Sequence, residues 1–172
     1  MAEMIVALDL PDAPAAVALL DQLPERCPVK VGSVLFTATG AGFVRTLVDG
    51  GHPVFLDLKW HDIPNTVAGA VRAARDLGVE MATVHALGGE AMLAAAVEAA
   101  GPLQLVAVTV LTSHDPASLA QILARRIDDT TLEVERLART AIGAGAAGAV
   151  CAPQEVAVVG EAVAGGRIVV PG

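Results

Sequence analysis

Aromatic side chains are nearly absent from this 172-residue chain, which has three Phe, one Trp and no Tyr. Its core cannot be built from large rings. It falls instead to Ala, Val and Leu, whose small side chains suit helices packed closely on parallel strands. Cysteine is equally scarce. Cys27 and Cys151 stand far apart with no C-x-x-C spacing, a pattern that fits neither a disulfide framework nor a zinc site and leaves two reduced thiols. Positive charge is short as well, with 11 Lys and Arg against 19 Asp and Glu and a formal net charge of −8. No basic run offers a footprint for a phosphate backbone, so no nucleic-acid partner is expected. An acidic surface also disfavours docking on anionic lipid. No apolar stretch reaches the roughly 18 uninterrupted residues that a transmembrane helix requires. Met1-Ala2-Glu3-Met4 has no basic segment leading into an apolar one, so no signal peptide is expected and the cytoplasm is the expected location.

What the chain does hold is alternation. Just over half of the residues are apolar, enough for one domain spanning residues 1–172 to bury a substantial core. Short apolar runs, many of them rich in β-branched residues, predict strands at Met4–Asp9, Val29–Val31, Val54–Lys59, Met81–His85, Leu105–Thr109, Gly148–Cys151 and Arg167–Val170. Their near-continuous apolar character is that of strands buried on both faces. Ala-rich helical patterns lie between them. One runs over Ala13–Leu23 behind Asp12, a candidate cap. Others run over Asn65–Leu77, Gly89–Ala100 and Leu132–Ala144, each followed by glycine where a helix C-cap belongs.

Repeated strand–helix units imply a parallel sheet with right-handed crossovers. An open doubly wound sheet and a closed barrel both satisfy that pattern. The polar residues favour the barrel: Asp9, Lys30, Lys59, His85 and Thr109 each fall near the C-terminal end of a predicted strand, where a barrel gathers side chains at one mouth. No G-x-G-x-x-G follows the first strand, so the dinucleotide-binding alternative loses its main support. The expected class is therefore α/β, a (β/α)₈ barrel of the TIM type. Only about seven βα units are present, with the eighth strand and helix missing after Val170-Pro171-Gly172.

Chemistry concentrates in one segment. Residues two apart on a strand point the same way, so Asp57 and Lys59 are expected to project together and to meet Lys30 from the neighbouring strand. Asp62 follows in the next loop. Two lysines and two aspartates can alternate so that each charge has an opposite neighbour, the condition under which burying charge is tolerable. D-x-K-x-x-D alone is a weak signal and reads more readily as a solvated strand end. Here, however, the charges follow the apolar Val54-Phe55-Leu56 and precede Ile63-Pro64-Asn65-Thr66, a helix start able to hold a polar ligand group.

The run Asp57-Leu58-Lys59-Trp60-His61-Asp62-Ile63-Pro64-Asn65-Thr66 resembles the signature of orotidine 5′-phosphate decarboxylases. Ile5–Asp9, Val29–Gly32, Val108–Ser113 and Val169–Gly172 resemble other segments of that family in the same order, so the likeness spans essentially the whole chain. The resemblance implies conversion of orotidine 5′-phosphate to uridine 5′-phosphate in pyrimidine biosynthesis, with no cofactor and no metal. It implies that Lys59 donates the proton to pyrimidine C6, that Asp57 sits beside the substrate carboxylate, and that Lys30 and Asp62 complete the charge network. It further implies that Asp9 and Lys30 contact the ribose and that Ile63 and Thr66 contact the nucleotide. Thr112, Ser113 and Pro171 would lie near the base. Asp62 and Thr66 would cross from a partner subunit, making a homodimer. The family's arginine after Pro171-Gly172, and its later glycine-arginine pair, have no counterpart here, which suggests a C-terminally truncated chain.

Two other readings fit parts of the pattern. A magnesium-dependent sugar-phosphate lyase, such as a ketogulonate-phosphate decarboxylase or a hexulose-phosphate synthase, shares D-x-K-x-x-D but not the I-P-N-T extension. An inactive homologue acting as a binding or assembly subunit would keep the site without turnover. Bland roles suit the rest. His85 is expected to be a hydrogen-bonded structural histidine near the site, and His61 and Trp60 to pack. His52 and His114 read as loop residues, Arg125-Arg126 with Asp128-Asp129 as a solvated helix end, and Gly165-Gly166 as a turn.

Overall fold

A computed structural model describes residues 3–23 and 26–172. Met1 and Ala2, on which part of the leader-peptide reading rests, lie outside the described residues. Seven strands form one sheet in sequential order, every neighbouring pair parallel. They are β1 (Val6–Ala7), β2 (Val29–Gly32), β3 (Val54–Trp60), β4 (Met81–His85), β5 (Gln104–Val108), β6 (Gly148–Val150) and β7 (Arg167–Val169). The helices are α1 (Ala13–Leu20), α2 (Ser33–Asp49), α3 (Pro64–Leu77), α4 (Gly89–Ala100), α5 (Pro116–Leu123), α6 (Thr130–Gly143) and α7 (Val156–Val163).

Sequential parallel order with a helix in every crossover is barrel order. An open doubly wound sheet reverses its order at a switch point, and this sheet does not. The curl brings the start of β7 within side-chain reach of the segment before β1: Arg167 Nη1 lies 3.6 Å from Glu3 Oε2. Among the described residues β1 and β7 remain the edges of the sheet.

The apolar strands are explained by burial on both sides. Their outer faces pack on the helices in a layer that includes Leu8, Val31, Leu56, Val84, Leu93 and Leu137. Their inner faces form a smaller cluster of Phe55, Met81 and Val106, with Ile5, Val150 and Val169 against it. Shortage of aromatics leaves that interior thinly filled, with Phe55 its one ring.

The strand positions agree with the sequence pattern to within a few residues, and β4 agrees at both ends. Asp12 caps α1 by accepting from the Ala15 amide at 2.9 Å. Gly78 closes α3 in the left-handed conformation, at φ 84°, where a side chain would be strained. Helices α2, α5 and α7 are absent from the sequence reading. In α2 the reason is visible: Gly40, at φ 69° and ψ −171°, breaks the segment into two short helices, so no long periodic pattern exists to detect. The pair Arg125-Arg126 is also more than a solvated end. Arg125 and Arg136 both bond to the carboxylate of Glu133, which is buried, while Asp129 caps α6 through the Thr131 amide. Hydrogen bonding to Arg136 first, and then to Arg125, holds the Glu133 carboxyl below its ordinary pKa.

Candidate active site

The C-terminal ends of β1, β2 and β3 carry a row of alternating charges. Lys30 Nζ lies 2.8 Å from Asp9 Oδ1 and 3.7 Å from Asp57 Oδ2. Lys59 Nζ lies 2.8 Å from the same Asp57 oxygen. The row therefore runs Asp9, Lys30, Asp57, Lys59, and each lysine has a carboxylate beside it. Enclosure increases towards its centre: the Asp57 side chain is 13% exposed, against 61% for Asp9 and 40% for Lys59. A carboxylate so enclosed is stable only because several donors meet it.

Gly32 makes room for this row. A Cβ placed there would stand 2.9 Å from Asp9 Oδ1 and 3.3 Å from Lys30 Nζ. Any larger residue would push that ion pair aside.

Regular strand alternation predicts that Asp57 and Lys59 share a face, but β3 is not regular there. Its register with β4 runs Leu56↔Ala82 and then Trp60↔Val84. Three residues, Asp57, Leu58 and Lys59, thus stand opposite one, Thr83. Lys59 itself has φ 52°, a left-handed conformation that costs a non-glycine residue on the order of 1–3 kcal/mol and persists only where its surroundings impose it. The two side chains meet through a bulge, not through the pleat.

Thr83 is the residue that sequence reasoning missed. Its hydroxyl accepts from the Lys59 backbone N–H at 2.8 Å and donates to Asp57 Oδ1 at 2.9 Å. A lone threonine inside an apolar strand carries no signal of that role, because its partners come from a bulge that the sequence does not announce.

The charge row faces a cavity of about 830 Å³ inside the curl of the sheet, large enough for a nucleotide. Asp9, Lys30, Asp57, Lys59, Thr112 and Pro171 all line it. Asp62, Ile63, Thr66 and Ser113 do not; they are exposed beyond it. Asp62 is therefore not the second carboxylate of the row within one chain. Asp9 takes that place, and the Asp62 carboxylate accepts from the Ile63 amide instead. Thr109 also turns away from the mouth: it is buried and donates to the Val150 carbonyl at 2.9 Å. Cys151 lines the cavity, but burial, with the nearby charge of Glu155, pushes its thiol up to about 11 and keeps it protonated. Among the described residues no group of three His, Cys, Asp or Glu is placed to hold a metal ion.

His85 ends β4 two residues beyond Thr83. It is buried, its Nδ1 accepts from the Leu87 amide at 3.3 Å, and its ring stacks on His61 with centroids 5.3 Å apart. Burial first, then the charges of His61, Lys59 and His114, lowers its pKa to about 4. The unfolded chain, with an ordinary histidine near 6.5, therefore takes up this proton before the native state does. Stability from neutral His85 is complete above about pH 6.5 and is lost as pH falls towards 4. Urea unfolding is expected to show a contribution of about 2 kcal/mol lost between pH 8 and pH 5. His85→Asn, which keeps an acceptor but cannot titrate, should remove most of that pH dependence. An unchanged pH slope in the variant would assign the loss to other groups.

The model of the orotidine 5′-phosphate decarboxylase / HUMPS family matches residues 2–172. The orotidine 5′-phosphate decarboxylase of Alkalilimnicola ehrlichii is 54% identical over 177 residues, covering 98% of this chain and 74% of that protein. A crystal structure of the orotidine 5′-phosphate decarboxylase from Lactobacillus acidophilus superposes with a TM-score of 0.88 at 37% identity, covering 94% of this chain and 76% of the other. The orotidine 5′-monophosphate decarboxylase of Methanocaldococcus jannaschii, solved with the inhibitor BMP, shares the fold with a TM-score of 0.83 at 21% identity, covering 100% of this chain and 78% of the other.

Proposed function

We propose, since this chain belongs to the orotidine 5′-phosphate decarboxylase / HUMPS family, that it converts orotidine 5′-phosphate to uridine 5′-phosphate and carbon dioxide in pyrimidine biosynthesis. The observation that carries the reading is the alternating row Asp9, Lys30, Asp57, Lys59 on the wall of a nucleotide-sized cavity. Residues 1–172 are read as a single (β/α) barrel domain that lacks the eighth strand and helix.

The row suits the chemistry. When the bond between C6 and the carboxylate breaks, the electron pair stays on C6 with no adjacent carbonyl to delocalise it. A fixed ammonium beside that carbon stabilises the charge as it develops and then protonates it. Lys59 fills this role, and its amine regains a proton from solvent. Asp57 sits beside the departing carboxylate, where like charge disfavours the bound substrate more than the product. Lys30 compensates Asp57 and, with Asp9, holds the ribose. Thr112 and Pro171, both on the cavity wall, flank the base, and Ser113, exposed outside that wall in this structure, reads its edge once it turns inward on the bound nucleotide.

Asp62, Ile63 and Thr66 belong to a second surface. They stand exposed around the start of α3, and Ile63 is 67% exposed. In a homodimer this surface reaches the partner's cavity and completes its charge network. No helix among the described residues is long and apolar enough to cross a membrane.

The test is direct. Purified protein carrying the family-like C-terminal segment is expected to decarboxylate orotidine 5′-phosphate, followed by loss of the orotate absorbance, at a rate unchanged by EDTA, and the 172 residues alone are expected to do so poorly, because the remote phosphate contacts that support the chemical step are missing. A rate abolished by EDTA and restored by magnesium would favour a sugar-phosphate lyase instead. Binding of the nucleotide without turnover would favour a non-catalytic homologue.

A further inference from the structure

We infer that Thr83 is a positioning residue for the reaction, its single hydroxyl fixing both the backbone of Lys59 and the carboxylate of Asp57. The inference rests on the proposed decarboxylase function, but its geometric part stands alone. Thr83 is fully buried, donates to Asp57 Oδ1 and accepts from the Lys59 N–H. It does not line the cavity, so it acts through those two residues and not on the substrate.

The need for it follows from the bulge. Across Asp57–Lys59 the regular ladder between β3 and β4 is interrupted, and a backbone N–H left without a partner there would be buried and unsatisfied. The Thr83 hydroxyl replaces the missing carbonyl. Its one proton goes to Asp57, and the Lys59 amide takes one of its two acceptor lone pairs. Donor, hydroxyl and carboxylate thus form a directed chain from Lys59 N–H through Thr83 to Asp57 Oδ1. The other oxygen, Oδ2, remains for Lys59 Nζ at 2.8 Å. Lys59 is thereby held at both ends, by its backbone through Thr83 and by its ammonium through Asp57. The left-handed φ of 52° is the conformation that this double attachment selects. His85, on the same face of β4 and two residues on, stacks on His61 and supports the chain beyond the bulge.

The consequence is separable from folding and from substrate grip. Thr83→Val keeps the shape and removes the hydroxyl. In the full chain it is expected to lower kcat for orotidine 5′-phosphate by roughly 10²-fold, the cost typical of reacting groups displaced by about an ångström, with KM changed less than about threefold. Thr83→Ser keeps the hydroxyl and should retain kcat within about threefold of the unmodified protein. The second readout needs no turnover: in Thr83→Val the Lys59 amide should lose its hydrogen-exchange protection and its Cα shift should move away from the left-handed value.

A Thr83→Val protein with kcat within about twofold of the parent, or with a loss confined to KM, overturns the role in catalysis. Unchanged Lys59 exchange and Cα shift overturn the positioning itself. If Thr83→Val fails to fold, Thr83→Ser decides: a kcat as low as that expected for Val rejects the hydroxyl as the cause. If the unmodified chain does not decarboxylate orotidine 5′-phosphate, the functional reading has failed, and the Lys59 amide still decides whether Thr83 sets its conformation.

Discussion

Lys59→Ala is expected to lower kcat for orotidine 5′-phosphate by roughly 10⁴-fold, because proton donation and electrostatic stabilisation are each worth about 10² and both reside in one ammonium. The fold should survive the change. The Lys59 side chain is 40% exposed, and Asp57 keeps the Thr83 hydroxyl at 2.9 Å and Lys30 at 3.7 Å. Thermal unfolding of the variant should therefore stay close to that of the parent. Product affinity should fall far less than turnover, since the lost interactions belong mainly to the transition state. A variant that retains more than about one tenth of the parent kcat would remove Lys59 from the role of proton donor.

Mixing two inactive proteins is expected to restore activity. Lys59→Ala disables a site from within its own subunit. Asp62→Ala should disable the site of the neighbouring subunit, because Asp62 does not reach the charge row of its own chain. In a hybrid dimer one site then combines an intact Lys59 with an intact Asp62, and the other carries both changes. Random exchange of equal amounts places half of the subunits in hybrids, so about a quarter of the parent activity should return for a two-fold symmetric dimer. The measurement is the decarboxylation rate after mixing, with subunit exchange followed independently by differential labelling. Exchange without recovery would show that Asp62 serves its own subunit or none.

The parts of this fold that could be read from sequence are those set by local and repetitive physics. Strands buried on both faces write themselves as apolar runs, and Met81–His85 could be placed at both ends for that reason. Glycine C-caps marked the ends of α3 and α4. Polar residues recurring at strand ends point to the barrel, although one of them, Thr109, bonds to the neighbouring strand. What could not be read depended on irregularity. The bulge at Asp57–Lys59 has no sequence mark of its own, since Lys at positive φ is a choice that tertiary structure imposes. Thr83 inherits its importance from that bulge. Strand alternation predicts that Asp57 meets Lys59, and they do meet, but through a bulge, because β3 does not follow that alternation. The resemblance assigns Asp62 to the network of a partner subunit, and within the chain Asp9, from the end of the first strand, stands beside Lys30. Strand neighbours in space decide that choice, and spacing along the chain does not.

The scarcity of rings has a practical side. Trp60 follows Lys59 directly, and its half-buried side chain packs against the layer between the sheet and the helices. With no second tryptophan and no tyrosine, the near-ultraviolet absorption of this protein comes almost wholly from one indole, attached to the bulge that carries the reactive ammonium. Its emission is a built-in optical probe of that short stretch of backbone. The signal needs no label and has no competing fluorophore to subtract. Events that shift the bulge, whether ligand arrival, subunit association or local opening, can therefore be followed in real time on unmodified protein.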